Sequence, residues 1–231
     1  MSAIAFEAWP KIPRLNRGIL VTEKLDGTNA AVVILPLGNV DRITREDGSV
    51  EFFDPDDRVI LAVVDRGEGG LVVVLAQSRT RFVTPESDNY GFAAWVKANA
   101  ETLVADLGVG RHFGEWYGAG IQRRYGLSEK RFALFNVDRW ADGVTYEGRP
   151  FATPRLEVVP VLYRGVWNDG AIEDAVDGLR VYGSQAVPGF LRPEGVVVWH
   201  YASRTSFKVT VEGDAAPKGP EAHQHDEEVA A

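Results

Sequence analysis

Residues 19–35 read ILVTEKLDGTNAAVVIL and place a lysine, an aspartate and a glycine between two strongly apolar runs. Val, Ile and Leu dominate residues 18–24 and 28–35, so both segments are predicted to be β-strands. The Asp26-Gly27 dipeptide favours the positive φ angles of a hairpin turn, which predicts that the two strands pair directly. Taken alone, this pattern favours an ordinary hairpin with a solvated lysine, because short motifs such as K-x-D-G recur by chance.

The composition is that of a globular protein without redox-active or thiolate chemistry. The 231 residues are 45% hydrophobic and 10% aromatic, which is enough for one large core or for one domain with two lobes. The absence of cysteine excludes disulfides, thiolate zinc sites, iron–sulfur clusters and cysteine nucleophiles. No signal-peptide pattern and no bilayer-spanning apolar run occurs, so we expect a cytoplasmic protein with no membrane partner.

Charge is distributed unevenly along the chain, whose formal net charge is −8. From Glu212 onward, six acidic residues stand against one lysine in a stretch with few aliphatic residues. This composition predicts a disordered acidic tail over residues 212–231, after a single domain over residues 1–211. The nearly neutral domain argues against indiscriminate coating of duplex nucleic acid. It leaves room for a local basic groove, although solvated surface charges would explain the same cations equally well: Arg79, Arg81, Arg111, Arg123, Arg124, Lys130 and Arg131.

Most of the remaining elements are predicted to be strands. Residues 36–57 are polar and turn-rich and predict a loop or mobile edge. Residues 58–78 predict a second hairpin, and residues 87–108 predict one helix that is capped by Ser87 or Asp88 and ends at Gly108. Further strands are expected at 111–118, 130–140, 156–165, 193–201 and 205–212, with a shorter helix over 168–183 capped by Asn168. The pattern is that of an α+β protein with antiparallel sheets and a few helices.

Single charged residues at the ends of apolar strands are the candidates for chemistry. Each of them could simply face solvent, but charged side chains are rarely enclosed unless they are paired or bind a ligand. No Walker loop, nucleophile elbow or H-E-x-x-H motif occurs, so a lysine is the remaining nucleophile candidate. A lysine attacks only after losing its proton, and its natural partner would be a nucleoside triphosphate with carboxylates around Mg²⁺. The charged residues are Lys24 with Asp26, Arg79, Glu115, Glu194 and Lys208.

Six short motifs occur in a familiar order: EKLDG, SRTR, FGEWYG, FALFNV, EGVVV and SFKV. With these motifs the chain resembles the covalent nucleotidyltransferase superfamily of polynucleotide ligases and mRNA capping enzymes, and within it the ATP-dependent RNA ligases. The resemblance extends from about Gly18 to about Val211. It implies a nucleotidyltransferase fold, the ATP-grasp-like adenylation fold of ligases, in which antiparallel sheets are flanked by a few helices.

The resemblance also implies catalytic roles. Lys24 would be the nucleophile that forms a lysyl–AMP phosphoramidate with ATP, and Lys208 would neutralise the α-phosphate. Glu194 would hold the catalytic Mg²⁺ (or Mn²⁺), and Glu115 would bind a ribose hydroxyl. The activated AMP would pass to an RNA 5′-phosphate, after which attack by a 3′-hydroxyl end would release AMP and complete a step of RNA repair or processing.

Four further residues would bind the nucleotide. Phe135 would stack on the adenine, and Glu23 would lie near the same base. Arg79 would contact the ribose or the incoming strand end, and Asp26 belongs to the same nucleotide-binding set.

Two departures from the family pattern leave other functions open. The last motif has only Lys208 where ligases usually carry two lysines, and Asn136 replaces a frequent aspartate. The chain also ends soon after that motif, without the OB-fold that DNA ligases and capping enzymes carry, which favours an RNA ligase. The alternatives are a GTP-dependent capping-type guanylyltransferase and a nucleotide- or RNA-end-binding module without turnover. The RNA substrate, the oligomeric state and any partner protein are not determined by the sequence.

Overall fold

A computed structural model of the chain describes residues 6, 8–39, 41–44, 50–53, 60–140, 143–145 and 148–213. These residues form strands and three α-helices in the order β1 (Gly18–Lys24), β2 (Thr28–Pro36), β3 (Asp41–Thr44), β4 (Val50–Phe53), β5 (Ala62–Asp65), β6 (Leu71–Ser78), β7 (Phe82–Val83), α1 (Phe92–Ala98), α2 (Ala100–Leu107), β8 (Gly110–Gly118), β9 (Lys130–Leu134), β10 (Leu156–Val158), β11 (Val161–Val166), α3 (Asp169–Tyr182), β12 (Gly195–His200) and β13 (Thr205–Thr210). The α+β fold class is thereby confirmed. The predicted acidic tail lies outside the described residues from position 214 onward.

The larger sheet has the strand order β10-β9-β8-β2-β6-β5, with β7 paired to β6. All its pairs are antiparallel except the parallel pair of β10 with β9. Alternate side chains of its central strands, such as Val32 and Trp116, pack against Phe92 and Leu103 of α1 and α2. This apolar packing covers one face of the sheet, so its other face is available to meet the smaller sheet.

The smaller sheet has the order β11-β1-β12-β13 and is antiparallel throughout. Ile19 and Val21 of β1 and Val198 of β12 point to the face where α3 supplies Ile172 and Val176. Because side chains alternate along a strand, the residues between them face the opposite way, toward the larger sheet. Lys24 belongs to this second set.

The predicted hairpin between β1 and β2 is wrong, because the two strands belong to different sheets. Gly27 has no positive φ angle, so it does not serve the turn geometry that the Asp-Gly dipeptide suggested. Glycine is needed here instead because only a hydrogen fits between the Cα of Gly27 and strand β8. A Cβ atom at this position would lie 2.4 Å from the carbonyl oxygen of Trp116 and 2.7 Å from the Cβ of Tyr117. Glycine therefore lets the chain cross between sheets directly against β8.

A second crossing returns the chain to the smaller sheet at Val159-Pro160. Residues 156–165 were predicted to be one strand, but they form β10 in the larger sheet and β11 in the smaller one. Proline cannot donate a backbone hydrogen bond, which favours a strand break here. The carbonyl oxygen of Pro160 accepts a hydrogen bond of 2.9 Å from the backbone N–H of Glu23. The two crossings therefore lie side by side.

Smaller differences from the predicted elements have local causes. The predicted helix over 87–108 is divided into α1 and α2 at Asn99, whose side-chain amide donates to the carbonyl oxygen of Trp95 at 2.8 Å. Such a side-chain bond competes with the helical pattern. The carboxylate of Asp88 accepts hydrogen bonds from the N–H groups of Ala93 and Ala94, as expected for a cap, but α1 begins only at Phe92 and Gly91 occupies its N-cap position. The predicted loop over 36–57 contains the short antiparallel pair β3 and β4.

The predicted second hairpin, the cap of the last helix and the closing strand pair are confirmed. β5 and β6 pair around residues 67–70, and β12 pairs with β13. The side-chain oxygen of Asn168 accepts a hydrogen bond from the N–H of Ala171 at the start of α3. In the part of the chain that the structure describes, no helix has the length and apolar character needed to cross a membrane.

Candidate active site

Lys24 is the last residue of β1 and lies beside the start of β12. Its Nζ donates a hydrogen bond of 2.6 Å to Oε2 of Glu194, and the side chains are only 25% and 18% exposed. Strand pairing accounts for this contact, because Lys24 is registered with Gly195, the residue that follows Glu194. The structure therefore joins two residues that are 170 positions apart in the sequence.

Glu115 of β8 reaches the same place from the larger sheet. Its Oε1 accepts a hydrogen bond of 3.1 Å from the backbone N–H of Gly27. Burial raises the pKa of the Glu115 carboxyl to about 7, while the nearby charge of Lys24 acts in the opposite direction. The carboxylates of Glu194 and Asp26 also raise this pKa, because they lie close enough to repel a negative charge on Glu115. One lysine and three acidic residues thus form a single electrostatic cluster.

The raised pKa of Glu115 predicts a pH-dependent stability. Between its ordinary pKa of 4.5 and about 7, the folded protein holds a proton that the unfolded chain has released. The free energy of unfolding should therefore fall as the pH rises through this window, by up to about 3 kcal/mol from this group. A Glu115→Gln variant has no carboxyl group to titrate in this window. The free energy of unfolding of the variant minus that of wild type should therefore increase with pH, and urea unfolding between pH 4.5 and 8 measures this difference.

Glu101→Gln supplies the matched control for this measurement, because Glu101 is an exposed glutamate on α2. It should keep the pH dependence of wild type. A constant difference between wild type and Glu115→Gln across the whole pH range would contradict the prediction.

Glu23 lies on the opposite face of β1 from Lys24 and is 1% exposed. Its Oε2 accepts hydrogen bonds from the backbone N–H groups of Gln185 and Ala186, at 2.8 and 3.0 Å, in the segment that follows α3. Burial raises the pKa of the Glu23 carboxyl, and these hydrogen bonds act against that shift. The structure thus places Glu23 apart from the lysine cluster and gives its carboxylate the role of holding the segment after α3.

A cavity of about 670 Å³ lies between the two sheets, and its lining residues do not include the four members of the lysine cluster. Its walls include Thr22 and Val197 from the smaller sheet and Phe113 and Phe135 from the larger one. Phe113 and Phe135 are 45% and 39% exposed, which leaves their rings accessible. Thr22 precedes Lys24 by two residues, or about 7 Å along a strand, so the cavity and the lysine share one face of β1. We refer to this space as the intersheet cleft.

Lys208 and Arg79 are the two predicted site cations that do not belong to the lysine cluster. Lys208 of β13 is registered with Val197, which in turn is registered with Thr22, so it lies on the face of the smaller sheet that carries Lys24. Arg79 follows β6 and is exposed. Neither cation has a hydrogen bond or ion pair with another residue of the described part. The structure therefore leaves the two cations open to a ligand but brings neither into contact with the lysine cluster.

Two contacts of Asp26 were not predicted from the sequence. Oδ2 of Asp26 accepts a hydrogen bond of 3.0 Å from Nε of Arg123, and its backbone N–H donates to the hydroxyl oxygen of Tyr125 at 2.8 Å. The sequence places Arg123 only among the cations of a possible basic groove and gives no signal for Tyr125. Both belong to an irregular loop, and no sequence period connects such a loop to a turn almost 100 residues away.

Carboxylates suited to a metal ion are few in this site. The described residues contain no group of three or more His, Cys, Asp or Glu side chains that could hold a metal. Mg²⁺ commonly keeps several waters and binds through one or two carboxylates together with substrate phosphates. Glu194, with its partly exposed carboxylate beside the cleft, fits that kind of site rather than a protein-built cage.

The chain matches an established protein family over most of its length. The family described as RNA ligase matches residues 17–210, whereas a search of curated proteins found no match. Among solved structures, a variant of the Naegleria gruberi RNA ligase with AMP and Mn is similar, with 16% identity and a TM-score of 0.45. The match covers 86% of this chain and 51% of that chain.

Two other variants of the Naegleria gruberi enzyme give comparable values. One with ATP and Mn has 15% identity and a TM-score of 0.43, and an apo form has 16% identity and a TM-score of 0.46. Each match covers 85% of this chain and 50% of the other. The chain thus spans about half the length of these solved relatives. Because the family match includes both sheets and every residue of the lysine cluster, the chain belongs to the RNA ligase family.

Proposed function

We propose that the chain is the nucleotidyltransferase domain of an ATP-dependent RNA ligase that works through a covalent lysyl–AMP intermediate. In the first step Nζ of Lys24 attacks the α-phosphorus of ATP. A P–N bond forms, the bond to the bridging oxygen breaks, and pyrophosphate leaves. The AMP then passes to an RNA 5′-phosphate, and attack by a 3′-hydroxyl releases it and joins the two ends.

The observation that carries this proposal is the contact between Lys24 and Glu194, on the face of β1 that also lines the intersheet cleft through Thr22. An ammonium group has no free electron pair, so the lysine must lose a proton before it can attack phosphorus. Glu194 is the carboxylate within hydrogen-bond distance of Nζ and can accept that proton. The strand register holds the two groups together without help from a ligand, so the reacting amine is already oriented.

The intersheet cleft has the size and the lining that a nucleotide requires. Phe135 offers an accessible ring on which an adenine can stack. Glu115 lies two residues after the cleft residue Phe113 on the same face of β8, so a ribose hydroxyl could donate to its carboxylate. Lys208 would neutralise the α-phosphate from β13, which is an edge strand of the smaller sheet. Arg79 would contact the ribose or the incoming strand end. For Glu23 and Asp26 nucleotide binding stays a prediction, since both carboxylates already have protein partners.

A divalent cation, Mg²⁺ or Mn²⁺, would complete the site, with Glu194 as its protein ligand. When bound, such an ion neutralises phosphate charge. A carboxylate has two oxygens with about four lone-pair sites, so Glu194 could accept the hydrogen bond from Lys24 and also bind a cation.

Incubation with ATP labelled at the α-phosphate, in the presence of Mg²⁺, tests the proposal. The wild-type protein should become covalently labelled, the label should be lost in acid as expected for a phosphoramidate, and the modified peptide should contain Lys24. GTP labelled at the same position should give no adduct. An adduct formed from GTP alone would identify a capping-type enzyme, and ATP binding without an adduct would identify a binding module; either result would overturn the proposal.

Transfer to RNA is tested separately with the preformed adduct. Mixing it with a 5′-phosphorylated RNA and an RNA with a 3′-hydroxyl should release AMP and yield the joined strand. The same RNA with a 5′-hydroxyl should leave the adduct intact, because it offers no phosphate to accept the AMP. An adduct that is equally stable with both RNAs would contradict the assignment as an RNA ligase.

A further inference from the structure

The lysine and its carboxylate partner lie where the backbone ladder between β1 and β12 stops. The ladder ends with the pair of Lys24 and Gly195. Beyond it, β1 continues into the crossing at residues 25–27, and the chain enters β12 from residues 192–194. The reacting amine thus belongs to the last residue of the ladder, and its proton acceptor Glu194 lies just outside it, in a segment to which the ladder does not extend.

Arg123 spans this open end with its guanidinium. Its Nε donates to Oδ2 of Asp26 at 3.0 Å, on the crossing that follows Lys24. One of its terminal nitrogens donates to the carbonyl oxygens of Arg192 and Pro193, at 3.0 and 3.5 Å, directly before Glu194. A single side chain thus replaces the backbone hydrogen bonds that a further rung of the ladder would provide. The planar guanidinium carries N–H donors that point in different directions, so one arginine can bind both segments at the same time.

The loop that presents Arg123 holds an unusual backbone conformation. Gln122, Arg124 and Tyr125 have φ angles of +42°, +59° and +52°, a region that residues other than glycine seldom adopt. Such conformations cost about 1–3 kcal/mol each and persist where surrounding contacts enforce them. The hydroxyl oxygen of Tyr125, which accepts a hydrogen bond from the N–H of Asp26, is one of those contacts. The loop and the crossing after Lys24 therefore hold each other in place.

We propose that Arg123 is a positioning residue for lysine adenylylation, and this inference rests on the proposed function. The guanidinium fixes the crossing after Lys24 and the segment before Glu194 relative to each other. It would touch neither the nucleotide nor the reacting atoms. The side chain is 23% exposed and also pairs with Glu212, which is 72% exposed, so its ion pairs lie near the protein surface. Pairs of this kind contribute little to stability, whereas small displacements of reacting groups are costly for the rate.

Arg123→Gln in the full-length chain tests the proposal, with covalent labelling by ATP as the readout. The rate constant for adduct formation at saturating ATP should fall by about 10- to 100-fold. The ATP concentration that gives half the maximal rate should stay within about twofold of wild type, because the nucleotide contacts are intact. The melting temperature should change little. Arg124→Gln is the matched control, since Arg124 is the adjacent exposed arginine, and it should retain the wild-type rate.

Arg123→Lys separates positioning from charge alone. A lysine restores the positive charge beside Asp26 but lacks the fork that reaches both segments, so the rate should recover only in part. A wild-type rate in Arg123→Gln would overturn the proposal. So would a rate loss that merely follows the loss of folded protein, or an equal loss in Arg124→Gln. If wild type itself forms no adduct, the proposed function fails rather than this inference.

Discussion

Lys24→Met is expected to form no covalent adduct with ATP under conditions in which wild type is fully labelled. Methionine keeps the unbranched apolar stem of lysine but has no amine, so no P–N bond can form. The fold should be retained, because the contact with Glu194 is a partly exposed ion pair at the end of the β1–β12 ladder. ATP binding should also persist, since the walls of the intersheet cleft are unchanged. Gel labelling and calorimetric titration with ATP measure the two effects separately.

Lys97→Met is the matched control for this variant. Lys97 lies on an exposed position of α1, away from both sheets' facing surfaces, and its loss should leave labelling at the wild-type level. Covalent labelling of Lys24→Met would show that another residue is the nucleophile and would contradict the proposed mechanism.

Gly27→Ala is expected to lower the rate of adduct formation at least about 100-fold and to destabilise the protein by about 1–3 kcal/mol. The added methyl group would meet backbone oxygen of Trp116 at 2.4 Å and Cβ of Tyr117 at 2.7 Å, neither of which is the flexible end of a side chain. Relief of this overlap must push the crossing away from β8. That movement would break the hydrogen bond from Gly27 to Glu115 and displace Lys24, three residues earlier.

Gly178→Ala is the matched control for Gly27→Ala, because the added methyl group has free space at this position. A Cβ atom at Gly178, within α3, has no neighbour within 4 Å, and the position has no positive φ angle. This variant should keep the wild-type labelling rate and gain roughly 0.5–1 kcal/mol of stability, because alanine restricts the unfolded chain. Equal labelling rates in Gly27→Ala and wild type would show that the tight approach to β8 has no bearing on the chemistry.

Local sequence features predicted most of the strands but not the sheets to which they belong. The strand predicted over 130–140 ends at Leu134, and β3 and β4 lie in a segment predicted to be a loop. The apolar runs around residues 19–35 gave β1 and β2 almost to the residue, since β-propensity and alternation are local properties. Sheet membership depends on partners far along the chain: β1 pairs with β11 and β12, which begin after residue 160. Asp26-Gly27 was misleading for a physical reason, because glycine serves both positive φ angles and close contacts, and only the second applies here.

For the candidate site, too, the residues in short motifs could be predicted but the contacts made by a distant loop could not. The ordered motifs predicted Lys24, Glu115 and Glu194, and the fold brings all three together. The position of Glu23 could have been inferred, since neighbouring residues on a strand point to opposite faces. The contact between Arg123 and Asp26 could not, because it is made by a loop whose path depends on several positive φ angles and on no repeating pattern.

The two connections between the sheets have a consequence for the part of the fold that carries Lys24. Residues 25–27 and residues 159–160 are the points where the described chain passes from one sheet to the other, and the N–H of Glu23, two residues before the first, donates to the carbonyl oxygen of Pro160 in the second. Near these connections, Leu20 of the smaller sheet and Tyr117 and Ala133 of the larger sheet belong to one buried apolar core. Lys24 thus follows a part of β1 that is fixed on both sides, and we expect its backbone to move little when a ligand enters the cleft. Under the proposed function, the nucleophile would stay oriented while the nucleotide binds.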